Sequence, residues 1–156
     1  MKKLNYIFVI FLSFVAQNSF AGSLDSALET SASAMKAQSA RIKVVTENIA
    51  NEDTIGTDPN QEPYRRKTIY FEQVKNPRTG ANLVKVKRIG TDNSGFKLVY
   101  LPNHPAANAD GYVRIPNVDK SLEAMDLRDA QRSYEANISA IETTKQIQER
   151  TLDLMR

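Results

Sequence analysis

From Leu24 the chain places its apolar residues at alternating steps of four and three: Leu24, Leu28, Ser31, Met35, Gln38, Ile42, Val45 and Ile49. This is the a/d rhythm of a helix–helix seam, held for about three and a half heptads. Ser31 and Gln38 interrupt it, and polar residues at such positions trade stability for register or partner choice. No proline occurs from Gly22 to Asn51, and Ser26 with Glu29 reads as a capping box at a helix start. Asn51 to Pro63 (NEDTIGTDPNQEP) is a loop by composition. The pattern then changes. Tyr64–Val74, Leu83–Ile89, Gly95–Leu101 and Gly111–Ile115 are four strand candidates, with a turn at Asn76–Gly80 and a proline-rich loop before the fourth.

After Pro116 the helical period returns, and Asp119 is placed to cap it. Leu127, Tyr134, Ile138, Ile141, Gln148, Leu152 and Met155 fall near one face, with Ala130 and Asn137 beside it. The expected fold is α+β. Long N- and C-terminal helices pair as a coiled-coil-like unit, and a small, mostly antiparallel β region is inserted between them. The expected boundaries are 1–21 for a leader, 22–51 for the first helix, 52–118 for loop plus β region, and 119–156 for the last helix.

The leader changes the charge balance. Lys2 and Lys3 precede an apolar run from Leu4 to Ala16, and Ser19-Phe20-Ala21 offers small residues for a cut before Gly22. The run is short of the ~20 apolar residues that span a bilayer, so this reads as a signal peptide touching the inner membrane only transiently. Removing 21 of the 156 residues leaves 135, and two of the 21 basic residues go with them, so 19 bases face 18 acids. A near-neutral exported chain lacks the clustered positive field of a nucleic-acid protein. With no cysteine it has neither disulfides nor thiolate metal sites. A small domain without such staples draws stability from association with other subunits.

Candidate chemistry is sparse. His104, the single histidine, sits between Asn103 and Pro105 and reads as a turn residue. Glu47, Glu52 and Asp53 are three carboxylates at a helix end and in a loop, without the fixed separation that glycoside hydrolysis needs. No phosphate loop or zinc spacing is present. The reading is of a non-enzyme with no cofactor, metal or small-molecule substrate. Arg65-Arg66-Lys67, near Tyr64 and Tyr70, with Lys85, Lys87 and Arg88 further on, is the one basic patch, and it reads as a protein-contact surface.

Three stretches together resemble a known family. Ala27–Thr54 (ALETSASAMKAQSARIKVVTENIANEDT) resembles the N-terminal signature of bacterial flagellar axial proteins, the rod and hook subunits. In that signature a helix of small and aliphatic residues ends in an Asn-Ala-Asn-x-x-Thr-like turn, matched here by Asn48, Ala50, Asn51 and Thr54. Pro63–Val74, His104–Asp119 and Ala130–Leu154 resemble the proximal-rod members of that family more than its other rod and hook members. The resemblance implies a structural subunit of the flagellar basal body, assembling helically with copies of itself and other rod proteins in the periplasm to transmit torque. It further implies a subunit interface built from Leu28, Met35, Ile42, Val45, Asn48, Ile49, Asn51, Thr54, Arg65, Arg66, Tyr134, Ile138, Ile141, Leu152 and Met155. The two asparagines would suit the turn through left-handed backbone angles and amide bonds to backbone. The leader departs from the family pattern of export through the flagellum's own apparatus. The competing reading is a soluble periplasmic paralogue acting as a binding module or assembly chaperone.

Overall fold

The computed structural model describes residues 2–154, with side chains from residue 24 onward; Met155 lies outside the described residues, as do the side chains of the leader. Helix α1 runs Lys2–Ala50 and helix α2 runs Lys120–Leu154. Between them come β1 (Lys67–Lys75), β2 (Asn82–Thr91), β3 (Lys97–Tyr100) and β4 (Tyr112–Ile115). The α+β architecture is therefore two long helices flanking a small antiparallel β region.

The helices lie antiparallel. The end of α1 meets the start of α2, where Arg41 pairs with Asp126 at 2.7 Å. Farther along, Ala32, Met35 and Ser39 line one groove with Tyr134 and Ile141. The four strands form two separate hairpins, β1–β2 and β3–β4, rather than one sheet. In β1–β2 the register shifts between Tyr70 and Phe71, a bulge that strengthens the local twist. The turn at its tip closes as expected: the Asn76 N–H donates to the Ala81 carbonyl at 2.8 Å, and Gly80 takes φ +70°. Along α1, the Val84 N–H donates to the Ser33 hydroxyl at 3.1 Å, fastening β2 to the helix.

Apolar burial is thin. The buried hydrophobic residues are Ala37, Val44, Val45, Ala81, Ala106, Val113, Val118 and Ala130, all small. Burying a side chain of that size contributes at most about 1.5 kcal/mol. Larger apolar groups stay outside: Leu98, Tyr100 and Met125 are each more than 60% exposed. Among the largest fully buried side chains are instead Glu123 and Asn48. The centre of this subunit is polar.

Three sequence expectations are corrected here. Ser26 and Glu29 lie well inside α1, so they form no capping box at its start. The Glu29 carboxylate instead accepts from Thr79 Oγ1 at 2.6 Å and Asn76 Nδ2 at 2.7 Å, tying the hairpin tip to the helix. Those bonds, the Thr79 hydroxyl foremost, hold the Glu29 carboxyl below its ordinary range against the opposing effect of burial. Strand β1 starts at Lys67 rather than Tyr64, because the Tyr64 N–H goes to the Thr54 carbonyl and the Arg66 N–H to Asn117 Oδ1. Neither group is free for a ladder. Finally, no described residue other than glycine has a positive φ, so the asparagines need no left-handed conformation.

Candidate functional site

The ENIANEDT stretch ends α1 with two asparagines doing different work. Asn51 caps the helix: its Nδ2 donates to the Glu47 carbonyl at 2.8 Å, and its Oδ1 accepts from the Thr54 hydroxyl at 3.2 Å. The Thr54 N–H returns to the Asn51 carbonyl at 3.1 Å. The Glu47 carbonyl thus accepts from both the backbone N–H and the side-chain amide of Asn51, which fixes the last turn of the helix.

Asn48 is 1% exposed and uses both ends of its amide. Its Oδ1 accepts from the Tyr64 hydroxyl at 2.9 Å and from the Lys67 N–H at 2.8 Å. Its Nδ2 donates to the Lys67 carbonyl at 2.9 Å and to Glu123 Oε2 at 3.0 Å. All four bonding positions of the amide are filled. One side chain of α1 thus holds the first residue of β1 by both backbone groups and reaches α2 as well.

Glu123, 0% exposed, closes the network. Its other oxygen accepts from Arg66 Nε at 2.6 Å. Asp119 caps α2 through the N–H groups of Ser121 and Leu122, which puts Glu123 in the first turn facing inward. A carboxylate there also complements the helix dipole. Arg66 reaches Asp92 at 3.9 Å. The Asp92 carboxyl is held below its ordinary range, first by the Ser94 N–H, then by the Ser94 hydroxyl, against the effect of burial. Asn117 bridges from the other side, its Nδ2 donating to Ser94 Oγ at 2.8 Å and to the Asp92 carbonyl at 3.1 Å. The joint therefore gathers α1, both ends of the β1–β2 hairpin, the 92–94 bend and α2.

The basic triplet is engaged within the chain. Arg66 is consumed by Glu123, Lys67 pairs with Glu47, and Arg65 pairs with Glu62 at 3.3 Å while stacking 4.3 Å from the Phe96 ring centre. It is a set of internal ties, not a free patch. Lys85, Lys87 and Arg88 remain exposed, with Arg88 lying 3.9 Å over the Tyr70 ring.

The remaining interface candidates divide by burial. Val45 and Asn48 are buried within the chain; Leu28, Met35, Ile42, Ile49, Asn51, Arg65, Arg66, Tyr134, Ile138 and Ile141 are half-buried; Thr54 and Leu152 are exposed. His104 sits in a turn, its Nδ1 accepting from the Ala106 N–H at 3.1 Å. Among the described residues no cluster of acids and histidine could hold a metal ion. Sequence reading named Asn48 as a subunit contact and Tyr64 only as a neighbour of the basic triplet, and did not single out Glu123. The signal for Glu123 was faint: a carboxylate four residues past Asp119, without an apolar partner.

Burial pushes the Tyr64 phenol up to about 12, with the charges of Glu47 and Glu123 adding to it. The protonated hydroxyl is the one that bonds Asn48. Unfolded tyrosine ionises near pH 10, so this contribution is complete below pH 10 and is lost as pH rises toward 12. Because the ring is only partly buried and solvent screens part of the effect, the stability advantage over Tyr64→Phe should narrow by about 1 kcal/mol between pH 9 and pH 12. Urea titrations at both pH values measure it; a constant difference would mean Tyr64 titrates normally.

The comparisons with known proteins fall on the same elements. A family profile described as "Flagella basal body rod protein" matches residues 28–56, and one described as "Flagellar basal body rod FlgEFG protein C-terminal" matches residues 109–154. The first contains Asn48 and Asn51, the second Asn117 and Glu123. The flagellar basal-body rod protein FlgC of Agrobacterium fabrum (strain C58) is 40% identical over 133 residues, covering 85% of this chain and 96% of the relative. FlgC of Bacillus subtilis (strain 168) is 42% identical over 142 residues, covering 81% and 95%. FlgC of Salmonella typhimurium (strain LT2) is 41% identical over 122 residues, covering 78% and 90%.

Proposed function

Because the chain belongs to the FlgC family of flagellar basal-body rod proteins, it is a structural subunit of that rod, and we propose that it stacks in the proximal segment through its terminal helices. The observation that carries this is the 96% coverage of a rod protein's length at 40% identity. No enzymatic step, cofactor or small-molecule substrate enters the reading. The soluble binding-module alternative finds no support among the relatives, which are rod proteins.

In this reading the apolar surface that the helix pair leaves open is covered by neighbouring subunits, copies of this chain and other rod proteins. The half-buried seam residues from Leu28 to Ile49 and from Tyr134 to Ile141 contribute their uncovered flanks, together with exposed Leu152. Many weak contacts per subunit add through the geometry of the polymer. The polar joint sets the angle between tube helices and outer hairpins, so Asn48 and Arg66 act by shaping the subunit rather than by touching a neighbour.

The leader directs the chain to the periplasm and is cut before Gly22. Mass spectrometry of purified hook–basal bodies tests both parts of the reading. The expected result is a peptide beginning at Gly22 in the rod fraction. Recovery of basal bodies without this protein, with the processed chain soluble in the periplasm, would remove the rod assignment.

A further inference from the structure

The β1–β2 hairpin presents a surface that none of the described residues covers. Tyr70 is 42% exposed and stands opposite Arg88 in the ladder, with Lys85 and Lys87 also exposed along β2. From Lys67 to Thr91 the chain carries six basic residues and one acid, Glu72, which faces Lys85 across the ladder. Two of the six bases are taken up internally, Lys67 by Glu47 and Arg78 by Glu29. The rest leave a positive, partly apolar sheet surface.

The opposite sign sits in the loop that follows α1. Asn51–Pro63 holds Glu52, Asp53, Asp58 and Glu62 and no base at all. Glu52 is paired with Lys120 and Glu62 with Arg65, while Asp53 and Asp58 have no basic partner among the described residues. This loop is held in shape. The Tyr64 N–H closes it on the Thr54 carbonyl at 3.1 Å, Gln61 Oε1 accepts from both the N–H and the hydroxyl of Thr57 at 3.0 Å, and Arg114 donates to the Pro59 carbonyl at 3.0 Å. A preformed loop loses little freedom on docking.

The two features do not meet within one chain. Among the described residues neither Asp53 nor Asp58 pairs with a base of the hairpin, and the closures at Tyr64 and Arg114 hold the loop apart from it. Complementary patches at separate places on one molecule make a head-to-tail contact, and such contacts propagate into rings or helical filaments. We propose that the exposed surface of the β1–β2 hairpin, around Lys85, Lys87 and Arg88, receives the acidic loop Asn51–Pro63 of a second copy of this chain. The proposal rests on the rod-subunit reading and goes beyond it by naming the contact that joins like subunits. Opposite charge sets the register of that contact and excludes tip-to-tip docking, which would bring like charges together.

The chain has no cysteine, so a pair can be introduced cleanly. In cells lacking the native copy, the double variant Asp58→Cys with Lys87→Cys should give a ladder of disulfide-linked multiples of the subunit mass, and each single variant should not. The triple variant Lys85→Glu, Lys87→Glu and Arg88→Glu should abolish swimming, as should Asp53→Lys with Asp58→Lys. Combining all five changes in one chain should restore it, as should producing the two defective variants together, because each then offers the surface the other lacks. Rescue excludes misfolding as the cause. Swimming by the triple variant, failure of rescue, or adducts at a mass other than multiples of the subunit would overturn the contact. Basal bodies that still contain the Gly22 peptide would show that the rod reading survives that failure.

Discussion

Replacing Asn48 by Asp should destabilise the subunit by on the order of 4 kcal/mol, more than replacing it by Ala. The substitution changes one NH2 group to an oxygen and leaves the shape alone. It removes both donors that Nδ2 supplies, to the Lys67 carbonyl and to Glu123. In their place it sets a carboxylate oxygen about a hydrogen-bond length from a carboxylate that is 0% exposed. Like charges at that range in a low-dielectric site repel strongly. Asn48→Ala loses the same bonds and leaves the Tyr64 hydroxyl and both Lys67 backbone groups to find other partners, without adding a charge. Its expected cost is about 3 kcal/mol. Asn51→Ala, whose bonds lie nearer to solvent, should cost about 1 kcal/mol. Urea denaturation of residues 22–156 ranks the three variants. If Asp and Ala at position 48 shift the midpoint equally, the added carboxyl group meets no repulsion in the folded state. A loss of 4 kcal/mol approaches the whole stability of a small domain, so Asn48→Asp should also fail to accumulate in the cell.

What was legible in the sequence is what depends on local period and local turn chemistry. The stepping of Leu28, Met35, Ile42 and Ile49 marks a helix because the apolar face repeats every turn. The NPRTG turn is legible because Gly80 must take a positive φ, and Asp119 because a side-chain oxygen one residue ahead of a helix has orphan N–H groups to bond. The joint was only half legible. Asn48 was legible as part of the helix-end signature, yet its partners lie 16, 19 and 75 residues away, and no local pattern announces them. Glu29 shows the opposite error. Its spacing from Ser26 satisfies a local motif, but the carboxylate is drawn to a β-turn 47 to 50 residues on. Arg65-Arg66-Lys67 likewise has partners that the local sequence does not announce. Three adjacent bases look like a patch, but the pleat and the turn before β1 send them to three different acids.

Placing a charge on either face of α2 should stop rod assembly, but for different physical reasons that the isolated chain can separate. Ile141 lines the groove between the helices with Met35 and Tyr134. Ile141→Asp would put a carboxylate into that seam, costing on the order of 2–3 kcal/mol and loosening α2 from α1. Ile147 belongs to another face. Leu122, Met125, Ala136, Ala140, Ile147 and Leu154 fall at helical spacings on one side of α2, and every one of them is exposed. Leu122 is 53% exposed, Met125 65%, Ile147 41% and Leu154 89%, an apolar stripe interrupted by Asp129 between Met125 and Ala136. Ile147→Asp should leave the urea midpoint of the isolated chain within about 0.5 kcal/mol of wild type, because the new carboxylate faces water. Both variants should nevertheless be non-motile, since in the assembled rod the second carboxylate would lose that water to a neighbouring subunit. Swimming with Ile147→Asp would mean that this face stays open in the rod and that the subunit stacks through its seam flanks alone. Unchanged stability with Ile141→Asp would mean that the two helices are held together by the polar joint at their ends rather than by the groove. The two variants thus separate what folds one subunit from what joins many. The thin core makes the distinction matter: a chain that buries mainly alanine and valine on its own keeps its larger apolar side chains for its neighbours.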